Sequence, residues 1–217
     1  MMSGEVAEIA LMINGLGLGE AASESNNSPL TSLIERAKAG DSAAFEQIVV
    51  CCQRKVISTA WRMLGNEEDA RDAAQEVFLR AYKYLDSFRL DQDFAGWLYR
   101  IAINVCRDHG RKRSRYHHLD SFEAERDRGN LDSMASSENV EAAAIKSQER
   151  ALVMEALNTL SKKERAALVL RDLEGLTTEE VARVLGSSPV TVRSQVASAR
   201  AKIKLYRDRV LKQKRRG

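Results

Sequence analysis

Asp69, Asp72 and Glu76 fall three and four residues apart, the spacing that brings side chains to one face of a helix. Such a cluster could hold a divalent cation for phosphodiester cleavage, as in a metal-dependent nuclease, but that chemistry needs ligands from a second element and the sequence offers no second cluster. His109, His117 and His118 have no cysteine or carboxylate partner at ligand spacing, and Cys51, Cys52 and Cys106 form no Cys-x-x-Cys pair. Neither a metal, a cofactor nor an enzymatic activity is expected. Thr191, Arg193, Ser194 and Gln195 have a different character. Hydroxyls, an amide and a guanidinium so close together suit hydrogen bonding to base edges and phosphates.

Charge supports a polyanionic partner only through its distribution. The net charge is +3, so the chain as a whole is no polycation. From Pro189 to Gly217, however, ten basic residues face a single acid, Asp208, and from Arg100 to Arg115 six basic residues face Asp108. Between these segments, Leu119 to Ala144 carries seven acids against Arg126 and Arg128. Two basic surfaces flanking an acidic connector are expected.

The elements that must position these groups read as helices throughout. Two prolines, few aromatics and no alternating β-branched run exclude an extended sheet. Residues 1–28 end in a Ser/Asn-rich run and read as a loosely ordered extension. From Asp41 to Leu64, Phe45, Ile48, Val49, Cys52, Val56, Ala60 and Leu64 mark one helical face, stopped by Gly65 and Asn66. A second helix is expected from Glu67 to Leu85, with Ala70, Ala74, Val77, Phe78, Ala81 and Leu85 inward. A third runs from about Phe94 to Arg113, with Leu98, Ile101, Ala102 and Val105 inward and its arginines outward. The expected organisation is a first helical domain over 29–115, a polar acidic linker over 116–139, a second helical domain over 140–207 and a basic tail over 208–217.

In the second domain, Ile145, Leu152, Ala156, Leu157 and Leu160 form the inward stripe of a first helix. Ser161 with Glu164, and Thr177 with Glu180, have the spacing of capping boxes, and Gly175 has the place of a left-handed stop. Ser187 or Ser188 followed by Pro189 opens the last helix. A short helix, a turn around Gly186 and a longer basic helix are the parts of a helix-turn-helix, with Val181, Leu185, Val192 and Val196 packing between the two helices. An ordinary helical hairpin with a solvated charged face would share this pattern.

Both halves resemble a known family. Asp69-Ala-Arg-Asp72-Ala-Ala-Gln75-Glu76-Val-Phe78, then Leu85-Asp-Ser-Phe88, then Phe94-Ala-Gly-Trp97-Leu-Tyr99-Arg100-Ile-Ala-Ile-Asn104 is similar to region 2 of the extracytoplasmic-function (ECF) branch of the sigma-70 family, the promoter-specificity subunits of bacterial RNA polymerase. Leu157-Asn-Thr-Leu160 through Leu170-Arg171-Asp-Leu-Glu-Gly175-Leu, with Glu179-Glu-Val-Ala182, Leu185-Gly186 and Thr191-Val-Arg193-Ser194, resembles region 4. The resemblance covers about residues 30 to 115 and 140 to 207 and implies an all-α, two-domain, non-enzymatic initiation factor that helps melt the minus-ten element. It implies that Asp69, Asp72, Gln75, Glu76 and Phe78 dock on the clamp helices of the polymerase's largest subunit, with the flap as a further contact. It assigns Phe88, Arg89, Phe94, Tyr99, Arg100, Asn104, Arg107, Arg111 and Lys112 to minus-ten DNA. Of these, Phe88, Phe94 and Tyr99 are stacking candidates, Asn104 lines a pocket for an extruded base, and the cations hold phosphates together with Arg113. Trp97 reads as core. Pro189, Thr191, Arg193, Ser194, Gln195, Ser198 and Arg200 are assigned to the minus-thirty-five element.

The sequence departs from the family pattern at Val190, where Gly is usual, and at Gln195 and Ser198, where Arg is usual. Phosphate contact is therefore expected to shift to Arg193, Arg200 and the tail residues Lys212, Lys214, Arg215 and Arg216. The family also implies an anti-sigma partner. Ile9 to Leu18 is too short and too interrupted for a signal peptide or membrane span, so a cytoplasmic protein without membrane insertion is expected. The alternative function is a stand-alone helix-turn-helix regulator, which would bind a specific site without polymerase.

Overall fold

The computed structural model describes residues 27–119 and 140–214, and every regular element within them is helical. Most of the expected extension and linker, and the end of the tail from residue 215, lie outside the described residues. The first helix, α1 (Asn27–Lys38), begins two residues inside the stretch expected to be loosely ordered. Pro29 sits in its first turn, where a missing N–H costs nothing, and Ile34 and Ala37 bury its inner face.

Asp41 caps the long α2 (Ser42–Leu64) by accepting from the Ala44 N–H, and Gly65 ends it in the left-handed conformation at φ 81°, its N–H donating to Trp61 O. Asn66 then caps α3 (Glu67–Tyr84) through the Asp69 N–H. A 3-10 turn (Leu85–Ser87) and the loop to Asp93 lead into α4 (Phe94–Leu119), which continues through the start of the expected linker. Asp93 caps α4, accepting from Gly96 N at 2.7 Å. A Cβ at Gly96 would lie 2.8 Å from that same carboxylate oxygen, so a larger residue there would make the Asp93 side chain shift. Helices α1 to α4 enclose a core of Ile48, Val56, Ala60, Ala70, Val77, Ala81, Leu98, Ala102 and Val105. Ala70, Ala73, Ala74 and Ala81 let α3 lie close against its neighbours.

The second unit opens with α5 (Val140–Asn158). Leu157 and, just beyond, Leu160 are buried as expected and are joined by Val153, whereas Leu152 and Ala156 are only half-buried and the side chain of Ile145 lies outside the described residues. Apolar residues nearly ring this part of the helix, so periodicity alone does not choose a side. Ser161 and Glu164 form the capping box of α6 (Lys162–Leu168), and Thr177 and Glu180 that of α7 (Thr178–Leu185). Between them Val169–Leu173 widens into a π-helical turn. Gly186 stops α7 at φ 61°, and Ser188, not Ser187, caps α8 (Pro189–Lys214), accepting from Thr191 N at 3.1 Å. Val181, Val192, Val196, Ala199 and Ile203 close the core under the helix-turn-helix.

Candidate nucleic-acid interface

The first turns of α8 expose Val190, Thr191, Arg193, Ser194 and Ser198 while Val192 and Val196 are buried, so the expected outward face is presented as one strip. Pro189 and Gln195 are half-buried at its edge. Val190 is 70% exposed and packs no core. The strip is held by pairs that cross to α6 and the π-turn. Glu164 accepts from Lys202 Nζ at 2.8 Å, Ser198 Oγ at 2.6 Å and Ser161 N at 2.8 Å, and these bonds bring its carboxyl down to about 2. Arg200 is bound to Asp172, which raises the guanidinium further. Ser198 and Arg200 thus spend polar atoms on their own domain. Lys212 is exposed, the side chains of Lys214 and beyond are outside the described residues, and Arg215 and Arg216 lie wholly outside them.

On the first unit, Arg100, Asn104, Arg111 and Lys112 are exposed along α4, with Arg107 half-buried beside them. The expectation for the aromatic rings is corrected. Phe88 and Phe94 are buried, with centroids 5.3 Å apart in an edge-on pair, and Trp97 leans on both at 5.2 and 5.5 Å. The loop folds back so that its rings join the core of the first unit, and Lys38 of α1 secures it by donating to Phe88 O. Neither ring faces solvent for stacking. Arg89 is exposed and pairs with Asp91 at 2.8 Å. Side chains of Arg113, His117 and His118 lie outside the described residues.

Tyr99 is buried as well, for a different reason. Its hydroxyl donates to Glu174 Oε2 of the second unit at 2.7 Å, and burial together with the Glu174 charge pushes the phenol far up, so it remains a donor. Ile103, one turn on, joins the core of the second unit.

Along α3, Asp72 and Gln75 are exposed, and the same strip continues through Leu79 and Tyr82, which are 65% and 55% exposed. Those two were missed in the sequence, although their spacing from Asp72 and Gln75 continues the stripe. Phe45 of α2 supports Tyr82 edge-on at 4.9 Å. Asp69 is half-buried, and Phe78 turns toward the core. Glu76 lies beside this strip, tied to Arg80 and, at 2.8 Å, to His109 Nε2. Burial works to raise its carboxyl, but the His109 and Arg80 bonds outweigh that and leave it below the ordinary range. His109 therefore has a structural partner that sequence spacing could not reveal. Burial pushes the Cys52 thiol to about 11 and Cys106 to about 12, so neither is a thiolate at neutral pH.

A four-helix unit with an exposed acidic-apolar strip, joined in sequence to a helix-turn-helix with an exposed polar first turn, defines a two-part transcription factor. The chain matches Sigma-70 region 2 over residues 48–116 and Sigma-70, region 4 over residues 150–203. It is 36% identical over 174 residues to the RNA polymerase sigma-H factor of Pseudomonas aeruginosa, covering 79% of this chain and 90% of that one. It is 37% identical over 177 residues to the ECF RNA polymerase sigma-E factor of Escherichia coli, with the same two coverages. The solved structure of CnrH in complex with the cytosolic domain of CnrY matches with a TM-score of 0.62 and 29% identity, over 83% of this chain and 98% of that one. The sigma factor RpoE of Bartonella quintana, solved with the anti-sigma factor NepR, shares the fold at a TM-score of 0.59 and 22% identity, over 76% of this chain and 96% of that one. The chain belongs to the ECF branch of the sigma-70 family. It is a non-enzymatic subunit that directs RNA polymerase to promoters.

Proposed function

We propose that the α3 strip of Asp72, Gln75, Leu79 and Tyr82, with Asp69 and Glu76 at its margin, docks on the clamp helices of the polymerase's largest subunit. The exposed face of α4 then engages the minus-ten element and helps melt it. Asn104 offers an amide to an extruded base, Arg100 offers a guanidinium plane for stacking, and Arg107, Arg111 and Lys112 neutralise phosphates. Because Phe88 and Phe94 are committed to the core, they support this site from beneath. Thr191, Arg193 and Ser194 read the minus-thirty-five element from the first turns of α8, where a recognition helix meets base edges. An anti-sigma protein restrains the factor in the cytoplasm until it is needed.

The observation that carries this reading is the separation of roles along α8: Val192 and Val196 hold the core while Thr191, Arg193 and Ser194 beside them are exposed. The test adds purified chain to sigma-free core polymerase on a library of promoters. Transcripts that need both components are expected, and Asn104→Ala should slow initiation on duplex promoters about ten-fold or more, in line with roughly 1–3 kcal/mol per base contact. Sequence-specific repression or tight operator binding by the chain alone would overturn the assignment.

A further inference from the structure

One carboxylate gathers three polar contacts between the two units. Glu174, just after the π-turn, accepts from Thr59 Oγ1 at 2.8 Å, Arg62 Nη1 at 2.7 Å and Tyr99 Oη at 2.7 Å, all three from region 2. The side chains of Arg62 and Glu174 are 3% and 6% exposed. Around this centre, Tyr99 and Ile103 complete the region 4 core, Arg165 donates to Met63 O at 3.0 Å, and Met154 Sδ lies against the open face of Gly65. A buried ion pair is held by its geometry. Withdrawing either partner leaves the other charged, dry and unpaired.

Size decides what this closed arrangement can reach. The centres of the minus-ten and minus-thirty-five elements are separated by about 25 base pairs, on the order of 85 Å of B-form DNA. A compact chain of 217 residues has a radius of gyration of about 17 Å. With regions 2 and 4 face to face, the two promoter elements cannot be read together.

We propose that Glu174 is an interdomain latch that sets the balance between this closed form and an open form able to span a promoter. In the closed form Tyr99 and Ile103 are covered by region 4. A two-element promoter then draws on the open fraction, and its apparent affinity is reduced by that fraction. The functional consequence rests on the two-element reading above, whereas the latch itself can be tested without DNA or polymerase.

The experiment compares the full chain and its Glu174→Gln variant by small-angle X-ray scattering and far-ultraviolet circular dichroism. Glutamine keeps the shape and one acceptor oxygen but removes the counter-charge of Arg62. The wild type should scatter as the closed form, and the variant should show unchanged helicity with a larger radius of gyration and a two-body scattering profile. Occupancy of a two-element promoter by holoenzyme at limiting chain should then rise several-fold. Unchanged scattering with intact helicity overturns the latch, as does a wild type already at the expanded radius. If Glu174→Gln loses helicity, the Thr59→Val, Tyr99→Phe double variant decides by scattering alone: expansion supports the latch and no change overturns it.

Discussion

Asp172 holds Arg200 through two hydrogen bonds, Oδ2 to Nε at 2.9 Å and Oδ1 to Nη2 at 2.6 Å, and so turns an expected DNA contact back onto its own domain. Arg193, by contrast, is exposed. Arg193→Ala should therefore lower promoter affinity about ten-fold and flatten the slope of log affinity against log salt by about 1. Arg200→Ala should leave that slope nearly unchanged and lower the melting temperature instead. Holoenzyme titrations across a series of potassium chloride concentrations separate the two outcomes.

Val190 stands where the family pattern has Gly and projects beside Arg193 without packing anything. The apolar group available to it in the major groove is the thymine methyl. Replacing thymine by deoxyuracil, position by position across the minus-thirty-five element, should weaken binding about four-fold at one position, the worth of roughly one buried methyl. In Val190→Gly that sensitivity should vanish.

Glu164 makes the stability of region 4 depend on pH. Its carboxyl is held at about 2, below the ordinary value of 4.5, by Lys202, Ser198 and Ser161. A depressed folded value stabilises the fold above the unfolded value, and the contribution fades as pH falls from about 4.5 toward 2. Glu164→Ala should cost about 2 kcal/mol at pH 7, the sum expected of a cap and a charge-assisted bond. Urea titrations repeated at decreasing pH should show the wild type and the variant converging.

Leu79 and Tyr82 extend the exposed strip of Asp72 and Gln75 with apolar area, and the proposed docking on polymerase would use it. Leu79→Ala combined with Tyr82→Ala should weaken the association with core polymerase at least ten-fold, since tyrosine is a frequent interface anchor and the leucine beside it adds apolar area. Thermal stability should change little. A comparable loss of stability would show instead that the pair belongs to the fold.

Helix boundaries were largely legible because they are written in local chemistry. Asp41, Asn66, Ser161 and Thr177 each accept from a backbone N–H three residues on, and Gly65 and Gly186 each take the left-handed conformation that ends a helix. Burial was legible where one apolar stripe exists, as on α2, and only partly on α5, where Leu157 and Leu160 are buried as expected but Val153 takes the place of Leu152 and Ala156 because apolar residues surround the helix. The aromatic loop shows another limit. Phe88 and Phe94 have the residue types of a stacking platform, and only the packed helices reveal that they belong to the core. Least legible were pairings across long sequence separations. Nothing near Glu174 announces Thr59, Arg62 or Tyr99, and nothing near Glu76 announces His109, because these meet only after the helices have packed.

The π-turn at Val169–Leu173 spaces Asp172 and Glu174 so that one ties to the recognition helix and the other to the opposite domain. Sigma regions exchanged between paralogues as self-contained cassettes would carry that turn with region 4 and leave its three region 2 partners behind. A chimera built at the linker would therefore fold both halves and lose their mutual registration. Transplanting residues 59, 62 and 99 with the turn should restore it.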